Sequence, residues 1–162
     1  MELDNETGVV GGIILSPEQK IIHLGYILGL DGFFETPRKL HFLHESRHPY
    51  LAVRRNVSAI HSGLVIIGNN VFDRAGLMEG IDSAELGIYG VDFCLRCSEL
   101  GIKTACSPQI EAIYNNQVMP SQEALSLKSK LIAKYQNKIN HDPYYSEYLV
   151  KSSENYGEVK LP

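Results

Sequence analysis

The chain has 162 residues, 44% of them hydrophobic and 21% charged, which is enough apolar material for one folded domain and excludes a wholly disordered polymer. Its formal net charge of −4 argues against bulk nucleic acid as the main partner, since such proteins carry a basic footprint. The best apolar runs, such as Val9 to Leu15, are strand-sized, well short of a membrane span of about 18 residues.

In chain order, Glu2, Asp4 and Glu6 carry the wrong sign for the start of a signal peptide, so a cytoplasmic location is expected. Gly8 to Ser16 is a continuous apolar, β-branched run and reads as a buried strand. Ser16-Pro17-Glu18-Gln19 signals a turn, Ile21 to Leu30 reads as a second strand segment, and Asp31-Gly32 closes it. Residues 35–55 show no sustained period and are locally basic, which predicts a long loop. Its His41, His44 and His48 have metal-like spacing, but the interspersed Arg and Lys make a poor cation site. Arg38, Lys39, Arg47, Arg54 and Arg55 would serve better against an anionic acceptor, if they do more than solvate the loop.

Val57 to Ile67 reads as another core strand, with Gly63 interrupting it. Asn69 is a candidate N-cap for a short helix to Ala75, and 76–87 is a Gly- and acid-rich loop. Tyr89 to Leu100 has helical spacing, with Gly101 as its C′ residue. Cys94 and Cys97 form a C-x-x-C inside that helix; with Cys106 they make an odd count of three, so half-buried thiols are expected rather than a disulfide framework or a zinc site. Lys103 to Ser107 and Ile110 to Tyr114 read as short strands around Pro108. Ser121 could cap a helix to Asn140 with the stripe Ala124, Leu127, Leu131, Tyr135 and Ile139. A polar, Tyr-rich stretch follows His141-Asp142-Pro143. Strands interleaved with helices predict an α/β architecture, as a single domain over 1–150 with a polar tail over 151–162.

Four segments give a sharper reading. Gly8-Val9-Val10-Gly11-Gly12 with His23-Leu24-Gly25, then Asn56-Val57-Ser58-Ala59 through Gly63 to Phe72 and Gly76, then Val91-Asp92-Phe93-Cys94-Leu95-Arg96 to Gly101, and finally Asp142-Pro143-Tyr144-Tyr145 occur in order. Together they resemble the C-terminal, acceptor-side half of family 2 glycosyltransferases. The resemblance covers residues 8–149 and implies a partial GT-A fold: a Rossmann-like mixed sheet flanked by helices, lacking the N-terminal nucleotide-binding half. It further implies transfer of a sugar from a nucleotide-sugar, held with Mg²⁺ or Mn²⁺, to a saccharide or lipid-linked acceptor. On this resemblance His61, Gly63, Arg54 and Arg55 would line the acceptor side. A separate nucleotide-binding half, or a second copy of the chain, would cover the exposed side of the sheet.

The departures from the family pattern matter as much. No D-x-D triplet occurs in the chain. The acidic motif that supplies the general base aligns with Tyr89-Gly90-Val91-Asp92, so Gly90 stands where a carboxylate is expected. The family's metal-binding His aligns with Tyr114 or Asn115. Asp92 and Glu79 remain as candidate catalytic carboxylates, against the simpler readings of Asp92 as a structural acid near a helix start, paired with Arg96, and of Glu79 as a solvated loop acid. The chain by itself is expected to need no cofactor and to transfer no sugar, either as an inactive glycosyltransferase-like domain or as a scaffold that binds a glycan or a protein.

Overall fold

The computed structural model describes residues 6–32, 34–37, 52–78, 86–115 and 122–152. Strand β1 (Thr7–Leu15) is central because its apolar run can be buried on both faces, and seven of its nine residues are. It pairs antiparallel with β2 (Ile21–His23) at Ile14 and Leu15 and with β6 (Val65–Ile67) at Val9 to Gly11. Its other edge runs parallel to β7 (Lys103–Ile113), which pairs antiparallel with β5 (Arg55–Asn56). A separate two-stranded ribbon joins β3 (Ile27–Leu28) to β4 (Phe34–Glu35). Helices α1 (Asn69–Ala75), α2 (Leu86–Glu99), α3 (Gln122–Lys134) and α4 (Gln136–Ile139) complete the described elements. This is the mixed sheet with flanking helices expected of a partial Rossmann-like α/β fold.

Several local expectations change. The segment Ile21 to Leu30 is not one strand, because Gly25 (φ 85°) and Gly29 (φ 78°) take left-handed conformations that turn the chain between β2 and β3. Within Val57 to Ile67 only Val65–Ile67 is strand. Val57 still donates to the Thr104 carbonyl of β7 at 3.0 Å, and Ser58 to Leu64 then leaves the sheet, with an isolated bridge from Tyr26 to Ala59 and a turn closed by the Leu64 N–H donating to the His61 carbonyl. Asn69 is the first residue of α1 rather than its cap; Gly68 flanks the helix and no side chain caps it.

The two short strands around Pro108 form one strand with a bulge. Between the pairs Gly11–Cys106 and Ile13–Glu111, β1 advances two residues while β7 advances five. Pro108 lacks the N–H a continuous ladder would use, so the excess collects there. The helix read to Asn140 breaks at Tyr135 (φ −114°) into α3 and α4. The end of α2 follows the sequence closely: Gly101 (φ 72°) donates to Ser98 and Ile102 donates to Cys97, a Schellman turn.

Helix α2 organises the core. Its Val91, Cys94 and Leu95 are buried with Val9 and Ile60, while Phe93 and Cys97 are buried too, Phe93 lying 5.8 Å from the Phe72 ring of α1. A single apolar stripe is what the spacing predicts; burial around most of the helix comes from its place between the sheet and the helices α1 and α3. All three cysteines are free and fully buried rather than half-buried.

The Asp142-Pro143-Tyr144-Tyr145 segment has a physical role. Asp142 is 4% exposed, and its Oδ2 accepts the buried Leu28 N–H while its Oδ1 accepts the Tyr144 N–H, both at 2.7 Å. Pro143 presets the turn that brings the second donor round, so one carboxylate both shapes the turn and pins it to β3. Tyr145 then buries its ring beside Ile27 and Leu30 and donates to the Val150 carbonyl at 2.6 Å. Asp142→Ala strands the Leu28 donor and is expected to cost about 3 kcal/mol. Urea unfolding should show it as a lower midpoint at unchanged slope; a loss under about 1 kcal/mol would mean that the turn holds without the carboxylate.

Candidate functional site

The turn after β5 carries Ile60, His61, Ser62 and Gly63, and it is fixed from two sides. From β2, His23 (1% exposed) accepts the backbone N–H of Gly25 at 3.1 Å and of His61 at 3.0 Å through Nε2. A nitrogen that accepts two N–H bonds carries a lone pair, so this imidazole is neutral with its proton on Nδ1. His61 in turn accepts the Gly63 N–H through Nδ1 at 3.0 Å, which places its own proton on Nε2. The two imidazole rings lie 5.6 Å apart, and Tyr26 packs edge-on to His23 at 4.5 Å. Burial, reinforced by the Glu35 charge, pushes the Tyr26 phenol far above its usual pKa, so it stays protonated.

From the other side comes α2, which approaches through its glycines. A Cβ at Gly87 would lie 2.5 Å from the Tyr26 hydroxyl, and one at Gly90 would lie 2.2 Å from the Ile60 carbonyl oxygen and 2.8 Å from the Ser62 nitrogen. The helix therefore meets the 60–62 backbone at a distance only glycine permits. Any carboxylate at position 90 would have to displace this turn.

Asp92 faces the opposite way. Two residues along a helix correspond to a rotation of about 200°, so the side chain leaves the turn behind and points to α3. Its Oδ2 accepts Arg96 Nε at 3.0 Å; its Oδ1 accepts Lys134 Nζ and the Tyr135 hydroxyl, each at 3.0 Å. Arg96 continues the network to the Ala75 carbonyl and, at 2.9 Å, to the Leu77 carbonyl. Burial raises the Asp92 carboxyl, but the hydrogen bonds from Lys134, Arg96 and Tyr135 outweigh it and hold the group below the usual carboxylate value. Because α2 begins at Leu86, Asp92 lies beyond the first turn, where the helix dipole acts weakly; the donors around it account for its charge.

The remaining expected site residues scatter. His61 and Gly63 share the turn. Arg55 reaches the Leu24 carbonyl beside His23, whereas Arg54 reaches Thr7 Oγ1 at 3.2 Å at the start of β1, so these neighbours serve different ends of the sheet. Glu79 lies outside the described residues, as do Arg38, Lys39, Arg47 and the three loop histidines. Among the described residues no group of three His, Cys, Asp or Glu has metal-binding geometry. Burial pushes the Cys94 thiol up to about 12 and Cys97 up to about 11. The sequence reading passed over Tyr26 and Gly87; the short Gly-x-x-Gly spacing of Gly87 and Gly90 was the available signal of a close backbone approach.

Two curated relatives share 26% of aligned positions with the chain. One, "Uncharacterized protein y4gI" of Sinorhizobium fredii, matches over 122 residues, 72% of this chain. The other, "O-antigen biosynthesis protein RfbC" of Myxococcus xanthus, matches over 171 aligned positions, 97% of this chain. The chain spans only 13% of the length of each. No protein-family model and no solved structure matches it.

Two variants test this geometry. In an open helix, glycine to alanine gains about 1 kcal/mol; Gly90→Ala is instead expected to lose about 2 kcal/mol in thermal or urea unfolding, because its methyl meets backbone. A gain would show that the turn yields freely. Asp92→Asn should lose about 1 kcal/mol at pH 7. The native carboxyl is depressed, so its contribution is complete above the unfolded value of about 3.9 and fades as pH falls through the native value. Unfolding curves of the two proteins should therefore converge in acid, and a pH-independent gap would remove the charge from the explanation.

Proposed function

We propose that the chain is a glycosyltransferase-derived domain of polysaccharide biosynthesis that handles saccharide without itself transferring sugar. The observation that carries this reading is the contact at Gly90. Deprotonating an acceptor hydroxyl needs a carboxylate within hydrogen-bond reach, and the position aligned with that base is occupied by helix backbone packed on the 60–62 turn. Asp92, the acid that survives nearby, is turned away and fully engaged by three donors. The similarity to a protein named for O-antigen biosynthesis supports the polysaccharide context.

A second reading is favoured by the sheet edge. Among the described residues β6 pairs only with β1, and its Ile66 is 61% exposed. In that reading another segment bearing a nucleotide site, or a second copy, adds to β6 and brings the missing carboxylate. No described helix is long and apolar enough to cross a membrane.

Thermal unfolding with uridine, guanosine and thymidine diphosphate sugars plus Mn²⁺ tests the first reading. The non-transferring reading expects no shift. A rise of several degrees, worth about 1 kcal/mol for a chain this size, would overturn it.

A further inference from the structure

The cleft beneath the Asp142–Tyr145 turn is unused by anything above. It has a volume of about 210 Å³ and lies between that turn, the C-terminal half of α2 and the start of β7. Ser98, on its wall, is eight residues beyond Gly90, about 12 Å farther along the helix axis, so this cleft is separate from the His61 turn.

Its chemistry is layered. The floor is apolar, made by Leu95 and Ile102 with Leu28 and Val57, all at most 5% exposed. The walls include the hydroxyl residues Ser58 and Ser98, and Thr104, whose own hydroxyl bonds to Cys94. Pro143 and Tyr144 form the roof, and Tyr144 stays 44% exposed although its chain neighbour Tyr145 is buried. Lys138 stands on the rim, 3.3 Å from Glu99. Beyond the roof a shallow groove continues over His141, Pro143 and Tyr144 to Tyr148, which is 72% exposed.

We propose that this cleft binds one sugar ring of a saccharide chain, and that the chain continues across Tyr144 toward Tyr148. The volume is below the roughly 300–1,000 Å³ of sites for drug-sized molecules and suits a single ring. An apolar floor takes the C–H face of a pyranose while hydroxyl walls answer its equatorial hydroxyls. A diphosphate would find little here, because the rim lysine is shared with Glu99. Exposed tyrosines at the mouth offer flat, rigid contact area at low entropic cost. Asp142 makes the roof dependable, since its two backbone bonds fix Tyr144 relative to β3. The proposal takes its ligand class from the polysaccharide reading and its location from the cleft alone.

The test is amide chemical-shift mapping on the full chain with methyl glycosides of common hexoses and 6-deoxyhexoses, and with cyclohexanol as an apolar ring of similar size. At least one glycoside should shift the amides of Ser58, Ser98 and Thr104 saturably. Tyr144→Ala should weaken it at least fivefold, and Ser98→Phe, at an exposed helix position that leaves the fold intact, should abolish it. Glycoside binding that maps elsewhere or survives Ser98→Phe would overturn the cleft while leaving the saccharide reading standing. Cyclohexanol entering where no glycoside does, or no binding by any probe, would overturn the sugar assignment. The nucleotide-sugar experiment is read independently of all these outcomes.

Discussion

Helix α2 has to fit between a sheet on one side and two helices on the other, and the rest of the molecule is arranged around that fit. Burying a helix around most of its circumference leaves little room for compromise, because interiors are packed at crystal-like density. Two devices make it possible. Toward the 60–62 turn, Gly90 lets backbone meet backbone, and Gly87 leaves room for the Tyr26 and His61 side chains. Toward the helices, Asp92 and Arg96 meet Lys134, Tyr135 and the carbonyls of Ala75 and Leu77, so the polar groups that do enter this layer are paired. One turn of helix thus serves two opposite faces by opposite means.

That division bears on function. Two positions apart on the helix, Gly90 is a spacer and Asp92 is an electrostatic clamp. Neighbouring groups around the glycine are also committed. His23 and His61 use ring nitrogens to receive backbone donors, and the Tyr26 phenol is buried and protonated. A pair of imidazoles beside a phenol looks catalytic when read as a list of residue types, yet its hydrogen bonds hold a turn in place.

Much of this could be read from the residues. The apolar run of β1 announced a buried strand, and Gly101 announced the end of α2, because both signals are local: hydrophobic continuity in one and a left-handed C′ residue in the other. The splitting of Ile21 to Leu30 was signalled by Gly25 and Gly29, but a glycine in an apolar run does not declare its φ. The departure of Ser58 to Leu64 from the sheet was not legible, since its apolar residues are buried against α2 and not in a ladder. At the site, Gly90 was visible as a glycine inside a helical pattern, whereas the reason it must be glycine lies 30 residues away in the carbonyl of Ile60. The double role of Asp142 was equally hidden, because its partner Leu28 is 114 positions distant.

The three cysteines have one more consequence. Each thiol is buried, and burial raises all three pKa values, so the reactive thiolate form is scarce at neutral pH. Reaction with a thiol-specific dye then requires the core to open. Cys94 and Cys97 on α2 and Cys106 on β7 therefore form a native clock for how often the helix–sheet interface breathes, readable from labelling kinetics without adding a probe.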